Sequence, residues 1–302
     1  MRHYLSALRG IKYLALTAAS TLATAGLILG NVRPAHAEFE IQEATIEKGE
    51  VQVEYRGAVH WGVPKADKEG GAGNNESQAV DFDQEEAPVR QSNELELQYS
   101  VTDWWMVSLF TLGADKPDGE DFNVDSIEFE TQFQLLKRHG DGIALAVQGG
   151  YEKAINHGRQ QNADGIAFGP IVELASKKVL ITLNPLFTDQ VGPNRDTDGL
   201  GFEYGWRAEY DLAKHWGIGV EMFGEIDDLS HSGPWDAQNH SIGPTLFWNP
   251  GSDDEEEAKN GSDDDQVAGA PHMELSFNVG VQFGLTDATS DGALKFQGEL
   301  SW

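Results

Sequence analysis

The stretch Met273-Glu274-Leu275-Ser276-Phe277-Asn278-Val279-Gly280-Val281-Gln282-Phe283 alternates without a break between apolar and polar or small residues. Successive side chains of an extended strand point to opposite faces. Met273, Leu275, Phe277, Val279, Val281 and Phe283 therefore share one face, and Glu274, Ser276, Asn278, Gly280 and Gln282 share the other. The same period recurs upstream. In Glu94–Val101, Leu95, Leu97, Tyr99 and Val101 oppose Glu94, Glu96, Gln98 and Ser100. Ile127–Leu135 repeats it, and Leu200–Leu212 sets Phe202, Tyr204, Trp206, Ala208 and Tyr210 against Glu203, Arg207, Glu209 and Asp211.

Extended over the chain, this reading predicts strands at 49–61, 92–102, 104–113, 123–136, 142–154, 165–176, 178–188, 199–212, 215–227, 239–248, 272–285 and 292–302. About twelve strands of roughly 10–14 residues exceed the ~5–6 residues usual in soluble sheets and suit tilted membrane-crossing strands. The joints near 103, 138–141, 177 and 213–214 are short, whereas 62–91, 114–122, 155–164, 189–198 and 228–238 are long. Short periplasmic turns alternating with longer outer loops are the rule in such barrels. Residues 249–271 break it: either that loop is an exception or a strand is miscounted nearby. The expectation is an all-β, antiparallel, up-and-down transmembrane β-barrel of about 12 strands, occupying 49–302. A jelly roll or other sandwich is the alternative, since one face of each sheet also meets water there.

Ahead of the barrel, residues 1–37 have the parts of a secretory signal peptide. Arg2, Arg9 and Lys12 precede an apolar run from Tyr13 to about Gly30, and Ala35-His36-Ala37 offers a cleavage pattern before Glu38. An uncleaved anchor helix is the other reading. Residues 38–48 then form a short periplasmic N-terminal segment. The expected location is the cell outer membrane.

Composition narrows the function. The 302 residues hold 50 Asp and Glu against 21 Lys and Arg, a formal charge of -29, and no cysteine. A nucleic-acid binder needs clustered bases, so that class is disfavoured. Thiolate metal sites, disulfides and cysteine nucleophiles are excluded. The 8 Trp, 7 Tyr and 14 Phe argue for a folded chain despite its acidity.

The closing strand Phe296-Gln297-Gly298-Glu299-Leu300-Ser301-Trp302 ends on an aromatic residue and resembles the assembly signal of Gram-negative outer-membrane barrels. Tyr99-Ser100-Val101-Thr102-Asp103-Trp104-Trp105 resembles the tight turns of transporter barrels grouped with the phenol-degradation meta pathway. Leu183-Asn184-Pro185-Leu186-Phe187 and Phe202-Glu203-Tyr204-Gly205-Trp206 are similar to allied exported proteins. The resemblance implies an outer-membrane barrel with a transport role. Its partners would be outer-membrane lipid, the barrel-assembly machinery and a small-molecule solute of unknown identity.

The predicted polar faces carry Glu54, Glu94, Glu96, Glu128, Glu130, Glu152, Glu173, Glu203, Glu209, Asp211, Glu221, Glu225, Glu274 and Glu299, with Arg56, Arg207 and Lys295 the few inward bases. Gly201, Gly205, Gly217, Gly219, Gly280 and Gly284 fall on those faces too. Carboxylate rings favour cations and repel anions, so the expected role is a channel for small cationic or neutral solutes. The alternatives are a polar plug that blocks conduction, and a non-conducting barrel or exported sandwich that binds a ligand or surface. Trp104, Trp105, Trp206, Trp216, Trp248 and Trp302 are candidates for an aromatic girdle, with Trp61 also near a strand end.

Other chemistry is sparse. Asp253–Glu257 and Asp263–Asp265 suit weak divalent cation binding, or a solvated loop. Asn194–Gly199 imitates the start of a calcium loop, but the closing Glu would fall at Gly205. Glu225-Ile226-Asp227 resembles a glycosidase strand whose second Glu position is here Leu229. Ser230-His231 lacks a nucleophile elbow, and the histidines lack metal-ligand spacing. The expectation is a non-enzyme with no cofactor and no metal.

Overall fold

The computed structural model describes residues 39–62, 89–117, 121–155, 162–195, 198–249 and 273–302. Its strands are β1 (Val51–Trp61), β2 (Val89–Thr102), β3 (Trp105–Pro117), β4 (Asn123–Leu136), β5 (Gly142–Ala154), β6 (Asp164–Ser176), β7 (Val179–Val191), β8 (Gly201–Ala213), β9 (Trp216–Ile226), β10 (Asn239–Trp248), β11 (Glu274–Gly284) and β12 (Gly292–Ser301). One turn of 3-10 helix, Trp235–Ala237, precedes β10.

Each strand pairs antiparallel with its sequence neighbours, and β12 returns to β1 from Gln52↔Ser301 to Trp61↔Gly292, closing the barrel. Closure leaves no sheet edge, which a wall immersed in hydrocarbon requires because lipid offers its backbone no hydrogen bonds. One continuous sheet also excludes the sandwich. The twelve-stranded up-and-down expectation is borne out, and the boundaries mostly agree within a few residues. The larger differences lie at strand ends, as where β3 runs on to Pro117. There the wall extends into residues such as Asp115 and Lys116, past the apolar alternation that made the strand visible.

The chain turns tightly between β2 and β3, β6 and β7, and β8 and β9. Lys177 takes φ 48° at the second of these, with its N–H donated to Asp141 Oδ1 at 2.5 Å. β10 and β11 pair directly, so the connection from Trp248 to Glu274 lies at this short-turn end. The strand count therefore stands and the loop is the exception. Its acidic runs, like residues 1–37, lie outside the described residues.

The outer surface exposes Leu109, Phe129, Ile143, Phe168, Leu183, Ile218, Leu246, Phe283 and Leu294. The side chains buried within are mostly polar: Glu96, Gln132, Glu173, Thr182, Glu221 and Gln282 are all nearly inaccessible. This inverts the soluble pattern. It is what alternating strands produce when the outer face meets lipid.

Candidate functional site

The lumen contains a piece of the chain's own N-terminal region. Phe39–Ile46, part of the N-terminal segment expected at 38–48, run inside the barrel against inward side chains of β4, β6 and β7. Phe39 stacks on His60, near the long-loop end of β1, at a centroid distance of 5.8 Å. It also meets Phe223 edge-on at 5.1 Å. At the opposite end Lys137, just past β4, donates to Ile46 O at 3.3 Å. Eight extended residues reach roughly 25 Å, comparable with the ~30 Å hydrocarbon core of a bilayer. The chain then reverses through Gly49, at φ 85°, and returns as β1. Gly49 N–H donates to Ser100 O at 2.8 Å. Val51 and Trp302 exchange backbone hydrogen bonds at 3.0 Å, tying the start of β1 to the end of β12.

The wall reads the backbone of this segment. Asn184 clasps Gln42, accepting its N–H at 2.5 Å and donating Nδ2 to its carbonyl at 3.1 Å. Gln132 Nε2 donates to Glu43 O at 2.8 Å, and Gln134 Nε2 to Ala44 O at 2.9 Å. Ala44 N–H donates to Glu173 Oε1 at 2.7 Å. These partners sit on β4, β6 and β7, so three strands grip adjacent peptide groups. The space comes from small residues. Ala44 is fully buried against Ala144, Ala146 and Ile171, and a Cβ at Gly205 would stand 2.8 Å from Glu40 O.

Side chains anchor it as well. Arg56 Nη1 lies 2.7 Å from Glu40 Oε1, 2.6 Å from Glu54 Oε1 and 3.3 Å from Glu96 Oε2, while Nη2 lies 2.7 Å from Glu94 Oε2. Glu40, Glu54 and Glu96 offer oxygens within 4.8 Å of one another, as a metal site would. The guanidinium already stands at that centre. Arg207 reaches Glu43 Oε1 at 2.6 Å with Glu209 at 3.8 Å, and its guanidinium covers the Phe247 ring at 5.3 Å. Lys295 Nζ meets Glu221 Oε2 at 2.5 Å, and Thr245 donates to the same oxygen at 2.7 Å.

Of the expected lumen residues, Glu54, Arg56, Glu94, Glu96, Glu152, Glu173, Arg207, Glu209, Glu221 and Lys295 are buried. Glu128, Glu130, Glu203, Glu225 and Glu299 are half-buried, and Asp211 and Glu274 are exposed at strand ends. Asp125 was missed. It occupies a register shift of β4 against β3, is 2% exposed, and has no hydrogen-bond partner on either carboxylate oxygen among the described residues. Period-two reading skips such a residue, because a bulge places neighbours on the same side.

Of the girdle candidates, Trp104, Trp105, Trp216, Trp248 and Trp302 gather at the short-turn end, with Trp216 and Trp248 paired in register. Trp105 Nε1 donates to Thr131 Oγ1 at 2.9 Å. Trp206 departs from the pattern: it lies mid-strand, in register with Leu183 and Met222.

No protein-family model matches the chain, and no curated protein matches it. Solved structures similar to it are outer-membrane porin-like barrels. The KdgM porin in complex with disordered oligogalacturonate aligns over 83% of this chain and 98% of its own, at 9% identity and a TM-score of 0.43. OprD from Pseudomonas aeruginosa aligns over 72% of this chain and 61% of its own, at 7% identity and a TM-score of 0.35. OccAB2 from Acinetobacter baumannii aligns over 72% and 56%, at 10% identity and a TM-score of 0.35. The chain thus spans somewhat over half the length of those last two.

Proposed function

We propose that this chain is an outer-membrane, porin-like channel that passes small cationic or neutral solutes through a carboxylate-rich lumen. The observation that supports it most is the imbalance of charge inside a closed barrel with an apolar exterior. Arg56 alone is faced by Glu40, Glu54, Glu94 and Glu96, and Glu128 and Glu130 add carboxylates to the inward face of β4. Such a wall lowers the energy of cations and raises that of anions. Kinship with the phenol meta-pathway transporters belongs to this proposal and rests on the turn and strand motifs alone.

The test is the reversal potential of single openings of the refolded chain in a planar bilayer under a salt gradient. Cation-selective reversal is expected, shifting toward zero in the Glu128→Gln/Glu130→Gln double variant. Anion-selective openings, or selectivity indifferent to both substitutions, would sink the carboxylate-lined route. The second reading, a barrel that binds instead of conducting, is favoured by one observation: the lumen already holds residues 39–46.

A further inference from the structure

We infer that residues 39–46 are a tethered gate: docked along the lumen they close the channel, and release of this segment opens it. The inference rests on the channel reading above. Three features separate a built plug from a tail that merely falls inward. Besides two ion pairs, the wall holds the peptide backbone itself, with the N–H and the carbonyl of Gln42 both held by one side chain, Asn184. Such a clasp demands an extended occupant at a fixed register. The wall is also cut to receive it, since Gly205 leaves room that any Cβ would take from Glu40 O, and Ala144 and Ala146 lie against Ala44.

The third feature is the tether. Gly49 at φ 85° lets the segment fold back directly onto β1, and backbone bonds to Ser100 and Trp302 secure this end. The opposite end, at Phe39, is held by ring contacts with His60 and Phe223. Breaking the wall contacts therefore releases a peptide that stays attached at the short-turn end, and re-entry is intramolecular. Tethering gives the docked state a high effective concentration and makes closure reversible. Closed barrels hold themselves by strand pairing, so the β1–β12 seam does not depend on the segment.

The chain has no cysteine, so Ala44→Cys supplies a single reporter thiol at a fully buried position. Its reaction with a charged methanethiosulfonate is measured beside bilayer conductance, in the full chain and in an Asn184→Ala/Gln134→Ala background that removes three wall hydrogen bonds to the segment. Heat-dependent gel mobility checks that each barrel is closed. A second release variant, Gly205→Val, displaces the segment by bulk.

The expected result is slow labelling and rare openings in the full chain. In the release variants labelling should accelerate by at least about tenfold, the loss expected from a few hydrogen bonds, with open time rising in parallel. Fast labelling of the full chain would show that the segment is not docked and overturn the gate. Equal conductance whether the reporter thiol is protected or reactive would overturn the gate while leaving the channel intact. Fast labelling of folded release variants that stay electrically silent would overturn the channel reading, and the gate with it.

Discussion

A single guanidinium, that of Arg56, is shared by carboxylates from three parts of the chain: Glu54 on β1, Glu94 and Glu96 on β2, and Glu40 on the threaded segment. Removing one partner of a buried ionic cluster strands the others, at a cost of about 3–5 kcal/mol. Arg56→Met should lower the urea midpoint of the refolded barrel by that amount divided by the slope of unfolding, more than Lys153→Met on the exposed pair with Asp164. Glu40 belongs to no strand, so its ion pair with Arg56 joins the threaded segment to the wall.

At the scale of elements, the strands were legible because each face meets a different solvent over its whole length. Glu274–Gly284 and Gly201–Ala213 keep strict alternation with no competing helical period. The threaded segment was not legible. Phe39, Ile41 and Ile46 are too few to set a period, and the residues that receive it, Asn184, Gln132 and Gln134, are ordinary lumen polar groups until something is placed beside them. Gly205 was visible as a small inward residue, but sequence alone could not say what it makes room for. The reversal into β1 has a local requirement: at φ 85°, Gly49 occupies a region that costs an L residue about 1–2 kcal/mol. Gly49→Val should therefore raise labelling of the Ala44→Cys thiol severalfold while leaving gel mobility of the barrel unchanged. A variant with mobility lost as well would place the strain in β1 itself.

For the molecule as a whole, the formal charge of -29 is set against few buried bases. The buried bases Arg56, Arg207 and Lys295 are each bound to acidic partners. In the proposed channel, selectivity would fall to the more exposed inward carboxylates, such as half-buried Glu128, Glu130 and Glu203. Fields from such groups are screened within ~10 Å at 0.1 M salt and ~3 Å at 1 M. Cation preference in open channels should shrink as both bath concentrations rise together. A preference unchanged by salt would point instead to the buried clusters.

The grip on residues 39–46 also sets an order of events during biogenesis. Its backbone hydrogen bonds to β4, β6 and β7 join positions 89 to 142 residues apart in sequence, from Gln132 with Glu43 to Asn184 with Gln42. The receiving surface does not exist until β4 through β8 have come together around a stretch synthesised before all of them. Newly inserted molecules should consequently pass through a leaky interval, with dye efflux from vesicles rising at insertion and decaying as the thiol of the Ala44→Cys variant becomes shielded.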